Sequence, residues 1–96
     1  MIVSFRDDTT QDIFDGKDSK QARKIPHAIW KIARRKLDML NSARELRELR
    51  LPPSNHLEAL KENLIDYFSI RVNDQYRVVF RWHDGNANEV RIIDYH

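Results

Sequence analysis

From residue 67 to residue 95 apolar and polar side chains alternate with a period of two, and no other feature restricts the fold of this chain as much. Phe68, Ile70 and Val72 alternate with Tyr67, Ser69, Arg71 and Asn73. Tyr76, Val78, Phe80 and Trp82 alternate with Gln75, Arg77, Val79 and Arg81, and Val90 and Ile92 are set against Arg91, Ile93 and Tyr95. Side chains point to opposite faces along a strand, and Asp84-Gly85 is a hairpin turn signal. The pattern predicts antiparallel strands over 67–73, 75–82 and 89–95. One face of that sheet is apolar and must be covered, and Arg71, Arg77, Arg81 and Arg91 share the other.

The cover is written upstream. Ile25, Ile29, Ile32, Ala33, Leu37 and Leu40 recur at three- and four-residue steps, the apolar stripe of a helix that starts near Pro26. Lys31, Arg34, Arg35 and Lys36 are expected off that stripe. Before it, Ile2–Phe5 reads as a short strand, and Asp8 or Thr9 caps a helical turn that Gly16 ends. After it, Asn41 or Ser42 caps a further helix carrying Leu46 and Leu49, which Pro52 and Pro53 stop. The expected fold is α+β: an N-terminal strand and two to three helices packed on one face of a twisted antiparallel sheet. At 96 residues, the whole range 1–96 is expected to form one domain.

The chain has no cysteine, which excludes disulfides, thiolate nucleophiles and cysteine-held zinc or iron–sulfur centres. No apolar run approaches the ~18 residues of a membrane span, and Arg6, Asp7 and Asp8 interrupt any signal-like stretch. A reduced, cytoplasmic protein with no membrane contact is expected. The net charge of +2 hides an uneven distribution: residues 20–50 hold ten basic and three acidic residues. Such a segment admits a polyanionic partner, although a solvated helix face accounts for it equally well. His27, His56 and His83 lack metal-ligand spacing, two glycines make no phosphate loop, and Ser69 lacks a nucleophile-elbow context. No cofactor is expected. His27 and His83 read as surface residues, and Trp30 and Trp82 as packing residues.

Two features carry candidate chemistry. Four arginines on one sheet face offer rigid donor forks matched to phosphate, although any half-exposed sheet also needs polar residues outside. The C-terminal Asp94-Tyr95-His96 gathers an acid, a phenol and an imidazole at the end of the last strand. A terminal histidine is often a frayed end, but here Ile92 and Ile93 lead into it and anchor it.

These residues, together with several ordered stretches, resemble the HigB-like toxins of the RelE/ParE superfamily. The stretches are Met1-Ile2-Val3-Ser4-Phe5, Ile13-Phe14-Asp15-Gly16, Arg35-Lys36-Leu37-Asp38-Met39-Leu40, Leu51-Pro52-Pro53-Ser54-Asn55 and Leu57-Glu58-Ala59-Leu60. The most specific runs from Ser69 to Trp82, and the chain closes on Asp94-Tyr95-His96. The resemblance implies a bacterial type II toxin that enters the ribosomal A site and cuts mRNA without a metal. It also implies a HigA-like helix-turn-helix antitoxin as partner, with operator DNA reached only through that antitoxin. By the same resemblance Asp94, Tyr95 and His96 are expected at the active site, Lys61 and Arg71 are expected to contact phosphate, and Arg77 is either a further contact or structural. Arg81 and Arg91, read from the sheet face and not from the resemblance, are expected to contact RNA as well.

The chain also departs from the family pattern. Glu62-Asn63-Leu64-Ile65-Asp66 holds neither the glycine nor the basic residue usual after Lys61. His56 stands where relatives carry arginine, and is a candidate proton carrier. Two other functions stay open: a ParE-like inhibitor that binds a protein target without catalysis, and a weakly active or inactive toxin kept for co-repression with its antitoxin.

Overall fold

The structure is a computed structural model that describes residues 1–61 and 65–95. Two α-helices, α1 (Asp8–Asp15) and α2 (Trp30–Ser42), precede four strands: β1 (Glu58–Ala59), β2 (Tyr67–Arg71), β3 (Tyr76–His83) and β4 (Asn86–Asp94). The strands form an antiparallel meander in the order β1-β2-β3-β4. Ile70, Val78 and Ile92 are aligned across three strands and join Ile13 of α1 and Ala33, Leu37 and Leu40 of α2 in one core. The apolar set of the alternating pattern therefore faces the helices, as expected.

Local signals explain most boundaries. Asp7 adopts an extended backbone and its side chain accepts from the Thr10 N–H at 2.8 Å, so the cap of α1 is Asp7 rather than Asp8 or Thr9. Gly16 ends the helix at φ 77°, a left-handed conformation that glycine adopts without Cβ strain. Asp84 and Gly85, at φ 49° and 77°, make the tight β3–β4 turn. The helix expected from Asn41 or Ser42 does not form. Both residues lie inside α2, and a 3₁₀ turn follows over Leu46–Arg50. That turn is set by Glu48, whose carboxylate accepts from the backbone N–H of Arg44 and Glu45 at 2.8 and 2.6 Å. These two bonds hold the Glu48 carboxyl below the usual range.

Lys36 also departs from expectation. It is buried on the core side of α2, where its Nζ donates to Asn55 Oδ1 at 2.6 Å. Burial, and secondarily Arg35, lowers its pKa.

β4 begins at Asn86 rather than at residue 89, because one extra residue interrupts the alternation. Val79 faces Arg91, yet Arg81 faces Asn88, so a bulge lies between them. Glu89, at φ 53°, occupies it, and its N–H donates to Ser4 Oγ at 2.8 Å.

The outer edge of β4 is covered along its length. Residues Ile2 and Phe5 bridge in parallel to Ala87 and Val90, and farther along the Ile92 N–H donates to Thr10 Oγ1 at 2.8 Å. Thr10 is fully buried, so this bond ties α1 to the last strand out of reach of water. Thr10→Val keeps the shape but leaves the Ile92 N–H without an acceptor, and is expected to cost about 1–3 kcal/mol. Urea unfolding of the variant measures it; an unchanged midpoint would mean the tie contributes nothing.

Candidate active site

Register settles which side chains share the face away from the helices. Arg71 pairs with Arg77, Val79 with Arg91, and Tyr67 with Arg81, so all four arginines do lie on one face. Their surroundings differ. Ser69, Arg77 and Val79 on this face are buried, so its middle is covered rather than open.

Arg77 is the most constrained of the four. Its Nε donates to Ser69 Oγ at 2.8 Å, one Nη donates to the His56 carbonyl and to the Ser69 carbonyl, and the other lies 3.9 Å from Glu58 Oε1. Its guanidinium carbon lies 5.6 Å from the centroid of the Tyr95 ring, a cation–π contact. Tyr95 continues past β4, with its N–H bonded to the Gln75 carbonyl at 2.6 Å. It is 39% exposed, enough to contact a ligand. Asp94 is exposed at the end of β4, where its Oδ2 accepts from the Gln75 amide at 3.0 Å.

His56 adopts a left-handed backbone, φ 44°, which aims its carbonyl at Arg77 and leaves the residue exposed. The structure thus joins the loop at His56, Arg77 and Tyr95 in one corner. Lys61 is exposed just beyond β1. His96 lies outside the described residues, as does the 62–64 part of the altered loop.

Arg71 is paired with Asp74, whose side chain is 96% exposed, so the pair is screened by solvent. Arg81 stands apart from this corner. It meets Glu89 at 3.3 Å and lies 5.7 Å from the Tyr67 ring centroid. Tyr67 donates to the same Glu89 at 3.0 Å, and Arg6 approaches it at 3.5 Å. The Tyr67 hydrogen bond, then Arg81, hold the Glu89 carboxyl below its usual range. Arg91 is half-buried, and its Nε meets no hydrogen-bond partner among the described residues.

Sequence reasoning missed Ser69, Asn55, Lys36 and the Glu89 cluster as polar partners. Ser69 and Tyr67 were recoverable: once a turn is placed at 72–75, the register sets Tyr67 opposite Arg81 and Ser69 beside Arg77. Among the described residues no group of three or more His, Cys, Asp or Glu could hold a metal ion, and no helix is long and apolar enough to cross a membrane.

The described residues thus form a two-helix cover on a four-stranded antiparallel meander, with its arginines on the face away from the helices. Chains of two solved Staphylococcus aureus structures share this fold. One is the heterotetrameric YoeB–YefM toxin–antitoxin complex, with a TM-score of 0.60 at 19% identity over 100% of this chain and 98% of that one. The other is the YoeB dimer, at 0.57 and 20% identity over 99% and 97%.

Residues 3–96 match the family described as the RelE-like toxin of the type II toxin–antitoxin system HigB. Toxin HigB-1 of Vibrio cholerae serotype O1 is 41% identical over 87 residues, 91% of this chain and 90% of that protein. A protein of Haemophilus influenzae described as uncharacterized is 41% identical over 88 residues, covering 90% and 83%. The chain belongs to the HigB-like toxins of type II toxin–antitoxin systems.

The two neighbouring arginines should separate in a stability measurement. Arg77→Met strands the Ser69 hydroxyl and the His56 carbonyl and is expected to cost about 1–3 kcal/mol. Arg71→Met, at a more exposed site, should stay within about 0.5 kcal/mol. Parallel urea titrations check both; equal losses would contradict the structural assignment of Arg77.

Proposed function

We propose that this toxin is a ribosome-dependent, metal-independent mRNA endonuclease, restrained by a HigA-like helix-turn-helix antitoxin. The observation that carries the reading is the corner where Arg77 holds the Tyr95 ring, directly before His96 in sequence. Cleavage joins the RNA 2′-oxygen to phosphorus and breaks the bond to the 5′-oxygen. It needs a proton acceptor, a cation at the charging phosphate and a proton donor to the leaving oxygen. His96 is the proposed donor to the 5′-oxygen, since an imidazole exchanges protons near neutral pH. Arg71 and Lys61 supply positive charge at phosphate, and Tyr95 positions the phosphate or stacks on a base. The His56 imidazole and Asp94 are the candidate acceptors of the 2′-proton. Arg77 acts through Tyr95 as a positioning residue.

This set lacks a strong, preformed base–acid pair, which supports dependence on the ribosome to align the 2′-oxygen for in-line attack. The antitoxin reading rests on the family and on the Staphylococcus aureus structure, which by its own description holds toxin and antitoxin together. One observation favours the alternative of a weak toxin kept for co-repression: Arg71, Arg77 and Arg81 each already face a carboxylate of the chain itself.

His96→Gln is expected to lower cleavage on programmed ribosomes by about 10²–10⁴-fold, the usual contribution of a general acid. Thermal stability should change by well under ~1 kcal/mol, and co-purification with the adjacent antitoxin should be retained. Near-wild-type cleavage by this variant, or vigorous metal-dependent cutting of naked RNA by the parent, would overturn the mechanism.

A further inference from the structure

We propose that the hollow between α2, the 53–55 turn and the end of β2 is a phosphate subsite for the RNA backbone, with Lys36 and Arg71 as its cations. The hollow measures about 260 Å³ and is lined by Ile32, Lys36, Ser54, Arg71, Val72 and Asn73. The first sign of a binding site is Lys36, which lines the hollow. The residue is only 5% exposed, yet its ammonium has one hydrogen-bond partner among the described residues, the neutral Asn55 amide. An ammonium carries three donors. No carboxylate among the described residues pairs with it, and burying it so, with Arg35 adding like charge, is costly. A peg needed only to hold the 53–55 turn would work as well without a charge. An anion entering the hollow would meet the remaining donors and reverse the penalty that burial imposes.

The other walls match a phosphate. Arg71 is tied to Asp74, an acid almost wholly in solvent, so its fork is free to exchange to a stronger partner. Ser54 offers a hydroxyl. Asn73 uses its Oδ1 to accept from the backbone N–H of Gln75 and Tyr76 at 2.9 and 2.7 Å, which leaves its amide NH₂ to donate. Ile32 and Val72 add apolar lining, which strengthens charge interactions beside it. Arg71 stands directly opposite Arg77 in the β2–β3 register, and adjacent strands lie about 4.8 Å apart. The subsite therefore flanks the corner that holds Tyr95, where it would take a phosphate neighbouring the scissile one. The inference rests on the RNA reading above for the identity of the phosphate, but not for its binding.

The test titrates inorganic phosphate into the full chain at constant ionic strength, with chloride as control, and follows the side-chain carbon signals of Lys36 by NMR. A saturable shift is expected with phosphate and not with chloride. Ser54→Asp, which sets a carboxylate at the mouth of the hollow on an exposed turn, should weaken it at least about tenfold, as expected for one strong charge. Lys36→Met, similar in volume and uncharged, should reduce the salt slope for an uncleavable single-stranded oligonucleotide by about 0.7, the value for one lost phosphate contact. No phosphate-specific shift, or an equal shift in Ser54→Asp, would overturn the subsite. Phosphate binding by a protein that cuts no mRNA would support the subsite while sinking the nuclease. Ribosomal cleavage without the shift would do the reverse.

Discussion

A guanidinium buried beneath a sheet face cannot persist without partners, and satisfying Arg77 shapes the half of the molecule that carries the candidate site. Its fork reaches Ser69 on β2, the backbone at His56 and the edge of Glu58. Those contacts bring the 52–56 loop back against the sheet, place the two-residue β1 beside β2, and set a flat cation under the Tyr95 ring. Breaking one partner of such a buried charged group is far more damaging than never having built it. Arg77 therefore ties the 52–56 loop, β1 and the Tyr95 ring to one corner of the sheet.

A second buried cation holds the same loop from the helix side. Lys36 grips the Asn55 oxygen, while the Asn55 amide donates to the Leu49 carbonyl at 3.1 Å. The stretch from Leu51 to His56 contains only one short 3₁₀ turn and exposes Leu51, Pro52, Pro53 and Ser54. Its position is thus set by polar contacts, because it has little apolar surface to bury. Segments held this way open locally at lower free energy than packed strands. By that rule the loop beside the candidate corner belongs to the less stable part of the fold, whereas Val78, Phe80 and Val90 belong to its most buried.

The parts of the structure legible in the sequence are those where burial imposes a period. Alternation predicted β2 and β3, the three-to-four spacing predicted α2, and glycine chemistry predicted the end of α1 and the β3–β4 turn. What escaped was decided by single polar groups competing with that period. The Glu89 bulge shifts the parity of β4, so Asn86–Asn88 read as loop although they are paired. Lys36 reads as a surface residue because its charge masks a position on the buried side of α2. The capping carboxylate of Glu48 tightens the segment after α2 into a 3₁₀ turn rather than a full helix. Within the candidate site, Tyr95 and Arg77 could be named from the sequence, but their contact could not, because it depends on how far β4 extends.

The charges on the arginine face bear directly on how such a protein would handle RNA. Glu89 is held ionised by Tyr67 and Arg81, and the acid sits between Arg81 and Arg6. Its lowered pKa means that this pairing is present above the ordinary glutamate range and is lost only as the pH falls through the folded-state value, so at neutral pH Arg81 is engaged. Arg77 is engaged by Ser69 and the His56 carbonyl, and Arg71 by a solvent-exposed Asp74. Of these three pairings the one to Asp74 is the most easily exchanged for phosphate, because that acid stands almost wholly in water. With two of its four arginines, Arg77 and Arg81, already engaged, such a face would bind a free polyanion less tightly than four free guanidiniums, since nonspecific affinity scales with the number of phosphates neutralised. Productive geometry then has to come from whatever presents the RNA. Under the proposed function, message held in a ribosome would supply that geometry, and RNA in solution would not.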